Sequence, residues 1–303
     1  MIPETFPQAS GAQGSVELSA ALMVFNERRR IERCLEHLWF CDEIVVVDDC
    51  STDGTYEYLR ERAAASNGKL RVVQHRHTTF AAQRQLAKDL TIGRWVLTMD
   101  GDEYVRPDYA QAMRKAIADP SAPDGFYILL KSPYPKTMRG HEWSEHPRLI
   151  RADKCQWVRT DSPHSWLDLR GVRMQRLRGG YMDHDPLDNL PSAFRKAINR
   201  TIIVSAQARA AGKKASGWRA FFSAFGRFFR YYVMRGAFRF GSDGFLMAVL
   251  NGFEGFCKYA FLIERPIEPE ETMLDGGAGS YPKDALAKEI NREVNRPGTS
   301  AGS

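Results

Sequence analysis

Acidic side chains cluster directly after three apolar runs of the chain, each as long as a buried strand. They are Glu27, then Asp48 and Asp49, then Asp100, Asp102 and Glu103. Ligands of open α/β sheets bind at the edge where the carboxyl ends of the strands meet, so we expect these carboxylates to lie together. Clustered carboxylates repel one another unless a cation lies among them, and their oxygen atoms suit a divalent metal.

The sequence Asp100-Gly101-Asp102 fits such a metal, because glycine lets the backbone turn so that both carboxylates face one ion. We expect Glu27, Asp49 and Asp102 to meet around Mg²⁺ or Mn²⁺ that holds a diphosphate and stabilises its departure. Each acid also has a simpler interpretation, either as a helix cap or as part of a solvated turn. The combination at three strand ends favours the site.

The elements that position these acids form an alternating pattern. Apolar runs of strand length alternate with helical segments, which predicts an open, mostly parallel α/β sheet. The predicted strands are 19–25, 43–48, 70–74 and 94–100, followed by 125–131 and 148–151. The predicted helices are 27–40, about 55–65, 80–90, 107–118 and 192–211. The stretch 132–191 reads as irregular.

The composition is that of a soluble protein. The chain has 303 residues, with 43 Lys and Arg against 37 Asp and Glu. No apolar run reaches the ~18 residues that a membrane span needs, and the first residues lack the pattern of a secretion signal. Five cysteines without a CxxC pair indicate reduced thiols in the cytoplasm. We predict a flexible leader at 1–16, an α/β domain at 17–190, a helical region at 191–265 and a mostly disordered tail at 266–303.

The helical region is basic and aromatic. Residues 195–265 carry 13 Lys and Arg against 3 Asp and Glu, and residues 218–261 hold 15 of the 34 aromatic side chains. Trp218, Phe221, Phe222, Phe225 and Phe229 share one helical face, with arginines close by. Such a stripe is often part of a core, but its breadth and the arginines predict contact with an anionic membrane surface.

Three segments together resemble the family-2 glycosyltransferases, which have the GT-A fold. They read SAALMVFNERRRIERCLEHL, DEIVVVDDCSTDGT and GRWVLTMDGDE, and they cover about 18–107. Residues 142–264 resemble the bacterial lipopolysaccharide-core β-1,4-glucosyltransferase type, most visibly at RYYVMRGAFRFGSDGF.

The resemblance implies an inverting, metal-dependent enzyme. It would move a hexose, preferably glucose, from a nucleotide-sugar, preferably a UDP-sugar, to a lipid-linked or cell-envelope glycan such as the lipopolysaccharide core. Its place would be the cytoplasm, peripheral at the inner face of the plasma membrane.

The resemblance also implies roles for individual residues. Glu27 and Asp49 would contact the nucleobase and ribose of the donor, and Asp48 is the acid that all relatives share. Arg84 matches a basic position on the helix before the fourth strand. Asp100 and Asp102 form the metal motif, with Asp102 preferred as the direct ligand.

Two positions depart from the pattern of the resembling enzymes. Where the glucosyltransferase type reads DSGSTD, this chain reads DDCSTD. Where that type has a His-Glu pair, this chain has His164-Ser165.

The general base that deprotonates the acceptor hydroxyl is expected in the irregular segment. Asp161 is the first choice, because the residues before His164 match the acceptor region of the resembling enzymes. His164, Glu145 and Glu142 are the alternatives, and each of the four is also explained as a surface charge or a structural side chain.

Other functions are weighed against the transferase. A sugar-phosphate nucleotidyltransferase would carry a glycine-rich loop after the first strand, where Asn26-Glu27-Arg28 stands here. A binding module for an anionic surface or nucleic acid would fit the basic charge, but the acidic sheet edge opposes nucleic acid. A degenerate transferase that serves as a scaffold is opposed by the intact acidic motifs.

Overall fold

The computed structural model describes residues 16–76, 79–158, 167–185 and 189–264. Within them, the chain divides into two compact units. The sheet unit contains the described residues up to 132 together with 143–158 and 167–185, and the helical unit contains 133–142 and 189–264. Nearly all of the predicted leader, and all of the predicted tail, lie outside the described residues, and the predicted domain boundaries stay predictions.

The sheet has nine strands in the described part of the chain, ordered β3-β2-β1-β4-β7-β6-β9-β5, with β8 beside β6. The strands are β1 (Leu18–Val24), β2 (Glu43–Asp48), β3 (Leu70–Gln74), β4 (Trp95–Asp100), β5 (Glu103–Val105), β6 (Gly125–Pro133), β7 (His141–Arg151), β8 (Met174–Arg176) and β9 (Met182–His184). β1 to β4 pair in parallel, whereas β7 runs antiparallel to β4 and β9 antiparallel to β5. The sheet is therefore mixed, with a parallel half that the apolar runs predicted.

The register of the parallel half aligns the ends of its strands. Val24 of β1 lies opposite Asp48 of β2, and Met23 lies opposite Asp100 of β4. The strands are held at this register by side chains with no exposed surface, such as Leu22, Val46 and Leu97. A slip of one residue would turn these side chains out of the core, so the core fixes where the acids emerge.

Four helices flank the sheet, namely α1 (Ile31–Glu36), α2 (Thr55–Ala64), α3 (Phe80–Asp89) and α4 (Pro107–Ala118). α1 is much shorter than the predicted helix 27–40. The backbone N–H groups of Glu27 and Arg28 donate to the side chains of Thr55 and Asp53 instead of entering a helix. The loop after β1 is thereby tied to the loop after β2.

The prediction of an irregular stretch at 132–191 was wrong in part, since β7, β8 and β9 lie within it. The first half of β7 reads HEWSEHP and alternates between half-buried and exposed side chains. It therefore has no apolar run, which is the signal on which the strand predictions depended.

The helical unit is built from α5 (Leu190–Ala210), α6 (Gly217–Phe229) and α7 (Gly241–Ile263). Asn189 and Ser192 cap α5 reciprocally through their side chains. α6 and α7 approach closely because Gly252 and Gly255 lack a Cβ, which would lie 3.1 Å from the Ala224 carbonyl oxygen and 2.9 Å from that of Ser223, respectively. Glu254 of α7 is buried and pairs with Arg200 of α5 and Arg227 of α6. The three helices thus share a charged contact.

The predicted aromatic stripe of α6 is exposed, which argues against its assignment to the core. Trp218 is 73% exposed and Phe222 is 63% exposed, and Phe221, Phe225 and Phe229 are exposed as well. In the described residues, one helical stretch, Ala237–Ile263, is long and apolar enough to cross a membrane by length and composition alone. The buried charge of Glu254 and the packing of α7 on α5 and α6 are equally typical of a core helix.

Candidate functional site

The loops after β1 and β2 form one hydrogen-bonded assembly at the carboxyl edge of the sheet. The Asn26 N–H donates to the Ser51 hydroxyl at 2.9 Å, and the Thr52 N–H donates to the Asn26 side-chain oxygen at 2.8 Å. The Glu27 N–H donates to the Thr55 hydroxyl at 3.0 Å. The acids of both loops are therefore held in fixed positions before any ligand binds.

Two residues of these loops have left-handed backbone conformations, Asn26 with φ 54° and Cys50 with φ 56°. Asparagine tolerates this region, whereas most other side chains are strained there. Cys50 occupies the position of glycine in DSGSTD, and its backbone angle explains why glycine suits that position.

Asp48 is fully buried at the end of β2. Its Oδ2 accepts hydrogen bonds from the Ser51 N–H at 2.9 Å and from the Gln74 side-chain amide at 3.2 Å. Among the described residues, its Oδ1 has no hydrogen-bond partner. A buried carboxylate oxygen without a partner is costly, so it indicates an acceptor position for a ligand donor group.

Asp49 follows Asp48 in the chain, and Glu27 belongs to the neighbouring loop after β1. The Asp49 N–H donates to the Val24 carbonyl at 2.9 Å, and the Asp49 side chain is nearly buried. The Glu27 side chain packs on Gly101, where an added Cβ would lie 3.2 Å from the Glu27 Cγ. The structure thus brings Glu27 against the Asp100-Gly101-Asp102 turn, as the sequence predicted.

Asp100 is held by two guanidinium groups. Arg84 Nη2 of α3 lies 2.6 Å from Asp100 Oδ1, and Arg148 Nη2 of β7 lies 3.0 Å from Oδ2. Arg148 also pairs with Glu103, which is buried and accepts the Asp100 N–H at 3.1 Å. Burial acts to raise the pKa of the Asp100 carboxyl, but the charges of Arg84 and Arg148 outweigh it and hold that pKa well below its usual range. Asp100 is therefore ionised and neutralised by arginine.

Asp102 faces His184, the last residue of β9, a strand that pairs antiparallel with β5 and parallel with β6. Asp102 Oδ2 lies 3.6 Å from His184 Nε2, and His184 Nδ1 lies 2.9 Å from the Ser132 hydroxyl. Burial acts to lower the pKa of His184, but the carboxylates of Asp102, Glu103 and Asp100 outweigh it and raise that pKa.

The side chains of Asp100, Asp102 and His184 offer ligand atoms near the turn where the sequence predicts a metal. In the described ranges, no group of three or more His, Cys, Asp or Glu side chains lies close enough to hold an ion. The oxygen atoms of Asp100 are already engaged by arginine, whereas the Asp102 carboxylate lies 3.6 Å from the His184 imidazole. Carboxylate oxygen suits Mg²⁺ and Mn²⁺, so Asp102 fits a metal that takes most of its remaining ligands from a diphosphate and water.

The predicted bases have different outcomes. Asp161 and His164 lie outside the described residues. Glu145 pairs with Arg176 at 2.8 Å, and Glu142, in the helical unit, pairs with Arg235 at 3.4 Å. Both therefore take part in surface ion pairs.

Sequence reasoning missed Arg148 and His184 as site residues. Arg148 stands in HPRLIR on a strand next to β4, and His184 pairs across β9 and β5 with Glu103. Their place in the site depends on antiparallel pairing between distant segments, for which the sequence has no local signal. The one local feature at Arg148 is its place directly before the buried apolar pair Leu149-Ile150 of β7.

The family is established by comparison with known proteins. The model of the family described as Glycosyl transferase family 2 matches residues 19–170, and this chain belongs to that family. It is a glycosyltransferase with a GT-A-like α/β fold and a C-terminal helical region. Family membership favours this activity over the nucleotidyltransferase and the binding module.

Two curated relatives match most of the chain. The lipopolysaccharide core biosynthesis glycosyltransferase LpsC of Rhizobium meliloti is 24% identical over 255 residues, which cover 82% of this chain and 92% of LpsC. An uncharacterized glycosyltransferase of Rickettsia typhi is 22% identical over 280 residues, which cover 88% of this chain and 93% of the relative.

Two solved structures are similar at low identity. The mannosyltransferase PcManGT of Pyrobaculum calidifontis, in complex with GDP-Man and Mn²⁺, has a TM-score of 0.45 and 17% identity over 97% of this chain and 84% of its own. S. aureus TarS 1-349 in complex with UDP-GlcNAc has a TM-score of 0.44 and 17% identity, over 62% of this chain and 66% of its own.

Proposed function

We propose that this glycosyltransferase moves a hexose, preferably glucose, with inversion from a UDP-sugar to a lipid-linked or cell-envelope glycan such as the lipopolysaccharide core. One observation carries the donor part of the proposal. Asp48 is buried at the carboxyl edge of the parallel strands, and one of its carboxylate oxygen atoms has no hydrogen-bond partner among the described residues. The N–H of a uracil ring is the kind of donor that such an oxygen accepts. The name of LpsC supports the acceptor class.

The pyrophosphate end of the donor would lie at the Asp100-Gly101-Asp102 turn. Asp102, with His184 as a second ligand, would hold Mg²⁺ or Mn²⁺. When bound there, the metal would neutralise the charge that develops on the departing diphosphate. Arg84 and Arg148 fix Asp100 and so keep the turn in place, which makes Asp100 a positioning residue in this proposal.

The acceptor hydroxyl oxygen attacks the anomeric carbon while the bond from that carbon to the diphosphate oxygen breaks. Asp161 takes the hydroxyl proton as general base, a role worth roughly 10²–10⁴-fold in rate. His164 and Glu145 are the alternative bases.

An aromatic corner offers a contact for the acceptor sugar. The Trp143 and Tyr181 rings meet edge to face at 5.2 Å, and the Lys131 ammonium lies 5.6 Å from the Tyr181 ring. Trp143 is exposed, and Tyr181 directly precedes β9, which carries His184. Exposed aromatic rings with a few polar groups are typical of carbohydrate and small-ligand sites. We assign the acceptor sugar to this corner.

The enzyme acts at the inner face of the plasma membrane in this proposal. The exposed aromatic face of α6, defined by Trp218, Phe221, Phe222, Phe225 and Phe229, supports peripheral binding. No nucleic-acid partner is proposed.

A hydrolysis screen tests the donor and the metal together. The full chain is incubated with UDP-glucose, UDP-galactose, UDP-GlcNAc and GDP-mannose, each with Mn²⁺, with Mg²⁺ or with a chelator, and the released nucleoside diphosphate is measured. We expect UDP-glucose to be hydrolysed fastest, with no turnover in chelator. Asp102→Ala should abolish turnover, whereas Asp153→Ala, an exposed acid in a turn, should leave it unchanged. Full turnover in chelator would exclude the metal. If none of the four nucleotide-sugars is hydrolysed, the assignment of the donor is excluded.

The base is tested separately, with the acceptor present. Asp161→Asn should lower kcat for transfer by at least a hundredfold, in line with the loss of a general base. An unchanged kcat would exclude Asp161, and the same measurement on Glu145→Gln would then decide whether Glu145 takes its place.

A further inference from the structure

A cationic cleft of about 540 Å³ lies within the helical unit, between the end of α5, the start of α6 and the end of α7. Four cations line it, Lys213, Lys214, Arg219 and Lys258, and its described lining includes no acidic residue. Lys213, Lys214 and Arg219 are exposed and Lys258 is half-buried. The remaining lining is mostly apolar. The cleft therefore combines a concentrated positive charge with mostly apolar walls.

The backbone directs these cations into one place. Gly212, with φ 70°, ends α5, and the Lys213 N–H donates back to the Ala208 carbonyl at 2.9 Å. Ser216 then caps α6 by accepting the Arg219 N–H at 3.4 Å. Arg219 thus stands in the first turn of α6, where the positive end of the helix dipole disfavours a cation. A residue placed against the helix dipole indicates a role other than helix stability.

Two of the cations converge on one aromatic ring. The Arg219 guanidinium lies 5.3 Å from the Tyr259 ring centroid, and the Lys258 ammonium lies 5.5 Å from it. Two like charges around one ring repel each other, and a bound anion relieves that repulsion. Arginine and lysine donors of this kind are suited to the oxygen atoms of a phosphate group.

The cleft adjoins the aromatic face of α6 through consecutive residues. Trp218 belongs to the aromatic face and Arg219 to the cleft, and the Trp218 ring stacks on Phe222 at 6.2 Å. In-plane membrane helices combine an aromatic face at headgroup level with adjacent cations that contact the lipid phosphates. The two features thus fit one planar, anionic partner.

We infer that this cleft binds the phosphate headgroup of an anionic phospholipid while the aromatic face of α6 enters the bilayer interface. The inference rests on the proposed membrane location and adds to it a defined headgroup site. Another possible occupant is the chain's own acidic segment, which carries Glu268, Glu270 and Glu271 in the sequence. The adjoining aromatic face favours the bilayer, because an acidic segment in the cleft would leave that face uncovered.

Vesicle flotation of the full chain tests the inference. Three kinds of vesicle are used: phosphatidylcholine alone, phosphatidylcholine with about 30% phosphatidic acid, and phosphatidylcholine with about 30% phosphatidylserine. We expect partition to be strongest on phosphatidic acid, because its terminal phosphate carries the most accessible charge. Arg219→Gln/Lys258→Gln should lower that partition about twenty-five-fold, roughly five-fold for each cation lost near an anionic surface. Lys213→Gln/Lys214→Gln is a second variant at a different part of the cleft.

The matched control removes two exposed cations from helices of the sheet unit, in Arg62→Gln/Lys115→Gln. This control should keep partition within about two-fold. Circular dichroism and the thermal midpoint of each variant check that it is folded. Trp218→Ala/Phe222→Ala should weaken binding to every vesicle, including phosphatidylcholine alone.

Three results would overturn the inference. They are equal partition on neutral and anionic vesicles, equal losses in the cleft variants and the control, and increased vesicle binding by Glu268→Gln/Glu270→Gln/Glu271→Gln. The last result would assign the cleft to the chain's own acidic segment. Donor hydrolysis by the unmodified protein without vesicles reports on the proposed function separately, so its failure is distinguishable from failure of the cleft.

Discussion

Arg148 has the largest expected effect on stability among the single residues of the site. It is nearly buried and pairs with both Asp100 and Glu103. Arg148→Gln leaves the buried Glu103 carboxylate without its arginine, close to Asp100, which keeps Arg84 as its countercharge, so we expect unfolding to become easier by about 3 kcal/mol. Urea unfolding monitored by circular dichroism measures this change.

A second variant gives the reason for that loss. In Arg148→Gln/Glu103→Gln, the carboxylate that lost its arginine is removed, and more than half of the lost stability should return. A single variant as stable as the original chain, or a double variant no better than the single one, would show that the arginine is not needed to neutralise this pair.

Cys50 gives a prediction from backbone geometry alone. Its φ of 56° is strained for cysteine and free for glycine, so Cys50→Gly should raise the free energy of unfolding by about 1 kcal/mol. Gly54 is the matched opposite case, since its φ is 87° and no atom lies within 4 Å of an added Cβ. Gly54→Ala should therefore lower stability by a similar amount. Thermal unfolding of both variants checks the pair, and changes of the same sign would contradict it.

How much of the site the sequence predicts depends on where each residue comes from. Glu27, Asp48, Asp49, Asp100 and Asp102 were identified because parallel strands bring their carboxyl ends to one edge. The partners that hold two of these acids were not, because Arg148 and His184 arrive on antiparallel strands from distant segments. The sequence therefore placed the acids together but did not predict that arginine, rather than a metal, neutralises Asp100.

At the scale of elements, Asp42 joins β2 to β1 and α4. Its carboxylate accepts the Leu18 N–H at 2.9 Å and pairs with Arg114 Nη2 at 2.6 Å. Partial burial acts to raise the pKa of Asp42, but the hydrogen bonds from Arg114 and the backbone outweigh it and lower that pKa. Because the folded pKa is lowered, the contact stabilises fully above the unfolded pKa of about 4 and is lost as pH falls through the folded value.

The pH dependence of Asp42→Asn tests this contact. The stability difference between the original chain and the variant should be constant from pH 5 to pH 8 and should shrink as the pH falls below about 4. It should stay below about 1 kcal/mol, because both partners are partly exposed to solvent. Urea unfolding across this range measures the difference, and a difference that grows on acidification would contradict the assigned sign.

Glu254 links the three long helices of the helical unit through Arg200 and Arg227. Glu254→Gln removes the shared charge, and we expect a loss of about 2 kcal/mol. The loss is smaller than for a fully buried pair because both arginines remain partly hydrated. The thermal midpoint is the measurement, with Glu264→Gln as the control at the exposed end of α7. Equal midpoints for the two variants would mean that the ion triad does not hold the helices together.

Element boundaries were predictable where one side chain type dominates. β2 and β3 begin and end at the predicted residues, because β-branched apolar residues at the centre of each strand are flanked by polar residues. α4 also matches, since Pro107 at its first turn gives a clear start. β7 was missed in its first half because exposed and half-buried polar residues alternate there, which is equally typical of a loop.

At the scale of the whole molecule, the formal charge of +6 predicts that vesicle binding depends on salt. The Debye length falls from about 10 Å at 0.1 M salt to about 3 Å at 1 M, so the attraction of the cations to an anionic bilayer should weaken. Partition onto vesicles with phosphatidic acid should fall toward the value for phosphatidylcholine, where the aromatic face alone contributes. Partition that is independent of salt would show that charge does not contribute to binding.

Two groups of site residues lie in different parts of the mixed sheet, so substitutions can change one group without changing the other. Glu27, Asp48 and Asp49 extend from the parallel half, whereas Trp143, Tyr181 and His184 belong to the antiparallel half. On the proposed assignment of donor and acceptor sites, chimeras that exchange β6 to β9 among relatives should alter the recipient of the sugar and leave the nucleotide preference unchanged. Gene duplication followed by drift in that half alone is a short evolutionary route to a new glycan linkage.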